Sequence, residues 1–208
     1  MQGSATDSDI TDKRLLRGAR TRQLALARAV HIASLESLEG LSFGRIATDI
    51  GLSKAGLQTL FRTKGSLQLA TIDHARAMFA DFVVRPTAAE PRGLPRFRAL
   101  IERWIAYAEQ PLFDGGCFQS ANLAQYDSRP GEVRDKLAAY QTEWVATLSE
   151  ELSIAIAQGE IEELDPELAA FQIDAVLRSG NTALRLGDAT VIAKIRRVIE
   201  AVLHSPGS

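Results

Sequence analysis

Apolar residues recur at three- and four-residue steps along almost the whole chain, and no stretch alternates apolar with polar residues for long enough to make a half-buried strand. That periodicity dictates an all-α fold. A first helix is expected over residues 21–37, where Leu26, Ala29, Val30 and Ala33 form one stripe. Two short helices follow, over 43–50 and 54–62, parted by Gly51-Leu52-Ser53, and then a longer one over 65–84. Pro86, Pro91, Gly93 and Pro95 interrupt the pattern, so 85–95 reads as a linker or a long loop. Further helices are expected over 96–109, 117–126 and 131–158, then one opened by Asp165-Pro166, and a last one over 189–204.

Composition narrows the class. The 208 residues, 46% hydrophobic and 24% charged, can bury a substantial core, which excludes a disordered polar tail, a collagen-like repeat and a disulfide-rich mini-protein. One cysteine, Cys117, rules out an intramolecular disulfide. No apolar run reaches the roughly 18 residues of a bilayer span, and the opening residues lack a signal-peptide layout, so a cytoplasmic location with no membrane partner is expected. The net charge of -2 conceals a division: residues 12–64 hold ten basic side chains against four acidic ones, while residues 65–208 hold 14 against 20. Such asymmetry points to a polyanion partner for the N-terminal part alone.

Residues 43–61 have the pattern of a helix-turn-helix. Ala47 is small enough for a second helix to cross closely, Gly51 supplies the turn, and Ser53 can cap the second helix, with Ile46, Ile50, Leu52 and Leu57 expected to face inward. A second helix so placed can enter a major groove. Thr21-Arg22, Ser42, Ile46-Ala47, Gly51-Leu52-Ser53-Lys54, Leu57, Phe61 and Lys64 stand in the order and spacing of the TetR family of bacterial transcriptional regulators, which the chain resembles over about residues 20–67. Gly115-Gly116-Cys117-Phe118 resembles a C-terminal subtype of that family.

The resemblance implies three parts: a flexible basic arm (1–19), a helix-turn-helix DNA-binding head (20–66), and a helical body (67–208) for ligand binding and dimerisation. It makes Ser42, Lys54 and Lys64 phosphate contacts, places Arg45 near the DNA backbone, and turns Ala55, Gly56, Gln58 and Thr59 toward the groove behind the cap at Ser53. The arm, with Lys13, Arg14, Arg17 and Arg20, and with Arg22 just beyond it, can reach a minor groove. Gly56-Leu57-Gln58 departs from the family's usual Thr-Leu-Tyr, and Leu60 stands where a polar residue is common. Those changes remove common backbone contacts and leave Gln58 to read an adenine edge.

In the body, Trp104, Phe113, Cys117, Asn122, Tyr126 and Trp144 are the expected ligand-binding residues. Ile173, Val176, Leu177, Gly180 and Leu184 on the penultimate helix, with Val191, Ile195, Val198 and Val202 on the last, are the expected homodimer interface. His31, His74 and His204 fall on separate helices without metal-ligand spacing, so neither metal nor other cofactor is implied, and no catalytic constellation is present. The expected partners are therefore a double-stranded DNA operator, a second copy of the chain and a small-molecule effector. The leading expectation is a repressor that leaves a palindromic operator when an apolar effector binds. Its alternatives are an activator, a redox sensor acting through Cys117, and a helical ligand-binding protein or enzyme without DNA recognition.

Overall fold

The computed structural model describes the backbone of residues 7–204 and the side chains of residues 16–204. Nine α-helices account for most of the described residues, and no strand occurs among them. They are α1 (Asp7–Glu36), α2 (Phe43–Asp49), α3 (Lys54–Phe61), α4 (Lys64–Phe79), α5 (Leu94–Glu109), α6 (Phe118–Tyr126), α7 (Glu132–Ala157), α8 (Pro166–Arg185) and α9 (Val191–Leu203). A 3-10 turn, Leu38–Gly40, joins α1 to the helix-turn-helix. Side-chain caps start several of these helices: Ser42, Ser53, Thr63 and Asp165 each accept a hydrogen bond from a first-turn amide.

Three expectations change. Helix α1 begins at Asp7 rather than near residue 21, so much of the expected arm has helical backbone. The sequence concealed this because the apolar stripe that reveals a helix starts only where α1 meets its neighbours, at Ala25 and Leu26. The side chains of Lys13 and Arg14 lie outside the described ones. Residues 85–95 are not a linker: α4 runs on through a π turn, Ala80–Val84, and a 3-10 turn, Arg85–Ala89. Pro86 falls in the first turn of the latter, where no amide is needed, and Thr87 Oγ1 donates to the Val84 carbonyl at 2.8 Å. The buried Glu151 of α7 then accepts the Gly93 amide at 2.9 Å, tying the remaining bend to the body.

The third change concerns α8 and α9. Ile173, Leu177, Gly180, Val191 and Ile195, expected between two copies, are buried inside one chain, where α8 packs along α7 and α9. Periodicity finds a buried stripe, but it does not say what buries it. Val198 is exposed, Val176, Leu184 and Val202 are half-buried, and Leu168 and Phe171 stand 53% and 61% exposed on the outside of α8.

One continuous core runs from head to body. Ala25, Leu26, Ala29, Val30 and Ala33 of α1 meet Ile46, Ala47, Leu57 and Phe61 of the helix-turn-helix, and Leu67, Ile72 and Ala75 of α4 carry the core on to Phe97, Leu100 and Trp104 of α5. The loop before α6 is pressed onto α1. The Gly115 amide donates to Ser34 Oγ at 2.9 Å, and a Cβ on Gly115 would lie 2.0 Å from the Ser34 carbonyl oxygen. Backbone cannot yield as a flexible side chain does, so Gly115→Ala should cost about 2 kcal/mol. Gly44→Ala, on α2 with open space around the new methyl, should stay within about 1 kcal/mol of the parent. Urea unfolding of both variants checks this; equal stabilities would show that the loop is not held by that contact.

Candidate DNA interface and internal cavity

The turn between α2 and α3 is closed by the Leu52 amide donating to the Ala47 carbonyl at 2.8 Å, with Gly51 at a positive φ of 69°. Ser42 Oγ accepts from the Arg45 amide at 3.2 Å and Ser53 Oγ from the Gly56 amide at 3.1 Å. Ile46, Ala47, Leu57 and Phe61 are buried, which fixes how α3 rolls. Lys54, Ala55, Gly56, Gln58 and Thr59 consequently form its exposed face, together with Ser53 at its start. Leu52, expected to face inward, is 38% exposed, and Ile50 is half-buried.

Several head cations are spent inside the molecule. Arg45 pairs with Glu36 at 2.5 Å, Arg28 with Asp49 at 2.6 Å, and Lys64 donates to both the carbonyl and the carboxylate of Glu39 at 2.7 and 3.2 Å. Arg22 Nη1 donates to the Leu60 carbonyl at 3.2 Å, and its guanidinium lies 4.5 Å from the centre of the Phe61 ring, fastening α1 to α3. Arg17, Arg20, Lys54 and Arg62 are exposed and make no ion pair among the described residues. Arg62 was not among the sequence candidates. It caps the end of α3 with a positive φ of 61° and is exposed. Position was the one signal available for it, directly after the last buried residue of α3.

A cavity of about 270 Å³ opens among α4–α8. Trp104, Phe113, Cys117 and Trp144 line it, with Phe79, Tyr107 and Phe118 completing an aromatic wall. Phe79 stands edge-on to both Tyr107 and Trp144, with ring centroids 5.4 Å apart in each pair. Much of the polar lining was missed: Arg76 with Glu143, Asp174 with Arg178, and Ser120 and Gln141; Gln119 lines the cavity as well. Asp174 and Arg178 carried a faint signal, an i,i+4 acid–base pair beside the apolar stripe of α8. At the cavity edge the Tyr140 hydroxyl donates to Asp73, and burial, reinforced by that carboxylate, pushes the phenol up to about 12. Among the described residues there is no cluster of side chains suited to a metal ion and no helix long and apolar enough to cross a membrane.

Asn122 and Tyr126, expected in the cavity, instead bind α6 to the head. Asn122 is fully buried: its Oδ1 accepts from the Leu38 amide at 2.7 Å, and its Nδ2 donates to the Ala33 and Phe118 carbonyls at 3.2 and 2.8 Å. The Tyr126 hydroxyl donates to Glu39 at 2.9 Å and accepts from Gln68 Nε2 at 3.0 Å; the same Gln68 nitrogen donates to the Leu38 carbonyl at 2.9 Å. Arg129 adds an ion pair to Glu39 at 3.5 Å. The first turn of α6, Phe118 to Ser120, lines the cavity. A single nine-residue helix thus has a wall of the cavity at one end and the base of the head at the other.

Residues 93–199 match the family described as tetracyclin repressor-like, C-terminal domain. Among solved structures, the chain is similar to a TetR transcriptional regulator from Chloroflexus aurantiacus, at 25% identity over 90% of this chain and 94% of that one, with a TM-score of 0.80. It shares the fold of the TetR-family regulator SCO4454 from Streptomyces coelicolor, at 22% identity over 90% and 95% of the two chains and a TM-score of 0.76. It shares it also with AibR, solved with isovaleryl coenzyme A and operator DNA, at 21% identity over 89% and 98% and a TM-score of 0.69. No curated protein matches the chain in sequence.

The Glu39 junction generates a pH dependence. Its hydrogen bond from Tyr126, then that from Lys64, holds the Glu39 carboxyl below its ordinary range. A carboxylate with a depressed folded value contributes stability that is present above its unfolded pKa and lost as pH falls through the folded one. Glu39→Gln should therefore be less stable than the parent at neutral pH, and the gap should close below about pH 4. Urea unfolding at both pH values measures this; a gap independent of pH would remove the carboxylate's charge from the account.

Proposed function

The chain belongs to the tetracycline-repressor-like (TetR) family of transcriptional regulators, and from that premise we propose that it is a repressor that binds a palindromic operator as a homodimer and releases it when an apolar effector enters the body. The observation that carries the proposal is the exposed face of α3, with Lys54 at one end and Arg62 at the other, neither of them in an ion pair among the described residues. Lys54 and Arg62 hold phosphates in this reading, while Gln58 and Thr59 meet base edges. Ser42 and Ser53 spend an oxygen lone pair on their caps and keep the hydroxyl proton for a phosphate. Arg45 and Lys64 reach DNA only by giving up Glu36 and Glu39.

Pairing of two copies is supported by Leu168, Phe171 and Val198, large apolar side chains left on the outside of α8 and α9. A two-fold dimer sets its recognition helices about 34–36 Å apart, one turn of DNA, and so requires an inverted repeat. AibR, of the same fold, was solved holding an acyl thioester and operator DNA together. In this chain the effector occupies the aromatic cavity, and α6 carries its presence to the head through Asn122 and Tyr126, with an expected coupling of about 1–3 kcal/mol.

Binding of the purified protein to DNA flanking its own gene, measured by fluorescence anisotropy over a salt series, tests this reading. Tight, sequence-selective binding that falls steeply with salt is expected, whereas no selective binding at low salt would favour a ligand-binding protein that does not read DNA. Lys54→Ala and Arg62→Ala should weaken binding to every sequence, each lowering the salt slope by about one. Gln58→Ala should change preference at particular base pairs, by about 1–3 kcal/mol at the affected position. Equal losses on all sequences would deny Gln58 a base-reading role.

A further inference from the structure

We propose that the cavity in the body selects a neutral, two-ring aromatic molecule bearing a hydrogen-bond acceptor, with that acceptor seated on the indole N–H of Trp144 and the hydroxyl of Ser120. The proposal rests on the reading of this cavity as the effector site and adds the chemical class of the occupant.

Size and wall give the first half. A void of about 150 Å³ takes one benzene ring, so 270 Å³ leaves room for a second. Phe79, Trp104, Tyr107, Phe113, Phe118 and Trp144 line the space. Several of them already meet edge to face, Phe79 with Trp144 at 89° and with Tyr107 at 84°, an arrangement that a flat guest extends.

Charge excludes ionic guests. Each charged side chain in the lining already has an opposite partner there: Arg76 is paired with Glu143 through two of its nitrogens, and Arg178 with Asp174 at 2.8 Å. A carboxylate or an ammonium brought into this space would be desolvated without a counter-ion.

The uncommitted polar atoms give the acceptor. Gln119 Nε2 donates to the Leu137 carbonyl at 2.7 Å, Gln141 Nε2 to Asp174 at 2.7 Å, and Thr147 Oγ1 to the Glu143 carbonyl at 2.8 Å, while the Tyr107 hydroxyl accepts from the Phe118 amide at 3.2 Å and is hydrogen-bonded to the Cys117 side chain. Trp144 Nε1 and Ser120 Oγ are buried and have no partner among the described residues, and both residues line the cavity. An indole N–H can only donate, so the group it meets must accept. A carbonyl or ring oxygen on the guest gives either donor the acceptor it lacks.

Equilibrium dialysis of the full chain against naphthalene, coumarin and coumarin-3-carboxylate separates these requirements. Coumarin should bind about fivefold more tightly than naphthalene, the worth of one net hydrogen bond, and the carboxylate at least about tenfold more weakly than coumarin. Trp144→Phe keeps a ring and removes the donor; it should bring coumarin down to the level at which the same variant binds naphthalene. Ser120→Ala should act in the same direction. Retained naphthalene binding certifies that each variant keeps its cavity. Equal binding of coumarin and naphthalene, tightest binding of the carboxylate, or no binding of any of the three would overturn the proposal. Operator binding is scored separately. DNA binding without any of the three ligands defeats this class alone, whereas the expected ligand order without DNA binding defeats the regulator reading and leaves the class standing.

Discussion

The buried amide of Asn122 is the contact on which the relation between head and body depends. It sits where α1 ends and the chain must turn into the helix-turn-helix, and it supplies what the backbone there lacks: an acceptor for the Leu38 amide and a donor for the Ala33 carbonyl. Leaving either group unpaired in the core would cost about 1–3 kcal/mol. The side chain also donates to the Phe118 carbonyl, one turn back on its own helix, so its amide plane is fixed in both directions. With Gly115 pressed against Ser34 just before α6, the junction has little freedom to slide. The head is therefore seated on the body by specific hydrogen bonds as well as by an apolar contact, and its orientation follows α6.

Electrostatics in the head are less generous than a count of residues indicates. The ten basic side chains of residues 12–64 oppose four acids, but Glu36, Glu39 and Asp49 each take a cation for internal use. Among the described residues, Lys54 and Arg62 at the two ends of α3 and Arg17 and Arg20 on α1 are exposed without an ion pair and are spread along the surface. Pairing also tightens the acids: the hydrogen bond from Arg45 holds the Glu36 carboxyl below its ordinary range, as Tyr126 and Lys64 hold Glu39. These exposed pairs contribute little to stability in water. Their consequence is positional, since each keeps a long side chain in one place until a stronger anion competes for it.

Much of this architecture was legible in the sequence, for a physical reason. Helices with one buried face repeat every 3.6 residues, and Ser53, Gly51 and Asp165-Pro166 announce helix ends through local chemistry alone. The inward face of α3 was likewise forced by Leu57 and Phe61. What failed were several inferences about what a given side chain packs or bonds against. The stripe of Ile173, Leu177 and Ile195 was real, but a stripe looks the same whether another copy or the same chain covers it. Asn122 and Tyr126 were assigned to the cavity because polar groups among aromatics resemble a binding site, whereas their partners, Leu38 and Glu39, lie more than 80 residues away in sequence. Segment 85–95 was read from its prolines, although a proline in the first turn of a helix breaks nothing.

Energy scales decide how the proposed switch can work. An effector with a differential affinity of about 1–3 kcal/mol cannot break the Asn122 set, three hydrogen bonds in a dry core whose loss would leave several groups unpaired. The Glu39 set is different, because that carboxylate is about half exposed and water can replace each partner as it leaves. The affordable motion is thus a tilt of α6 about Asn122, with its cavity end displaced by the guest and its far end changing partners among Glu39, Lys64 and Arg129. Glu39 and Lys64 stand at the base of the helix-turn-helix, so in the proposed dimer that small exchange would be delivered where a change in head angle alters the spacing of the two recognition helices. In this scheme the buried amide serves as the pivot and the solvated ion pairs as the part that moves.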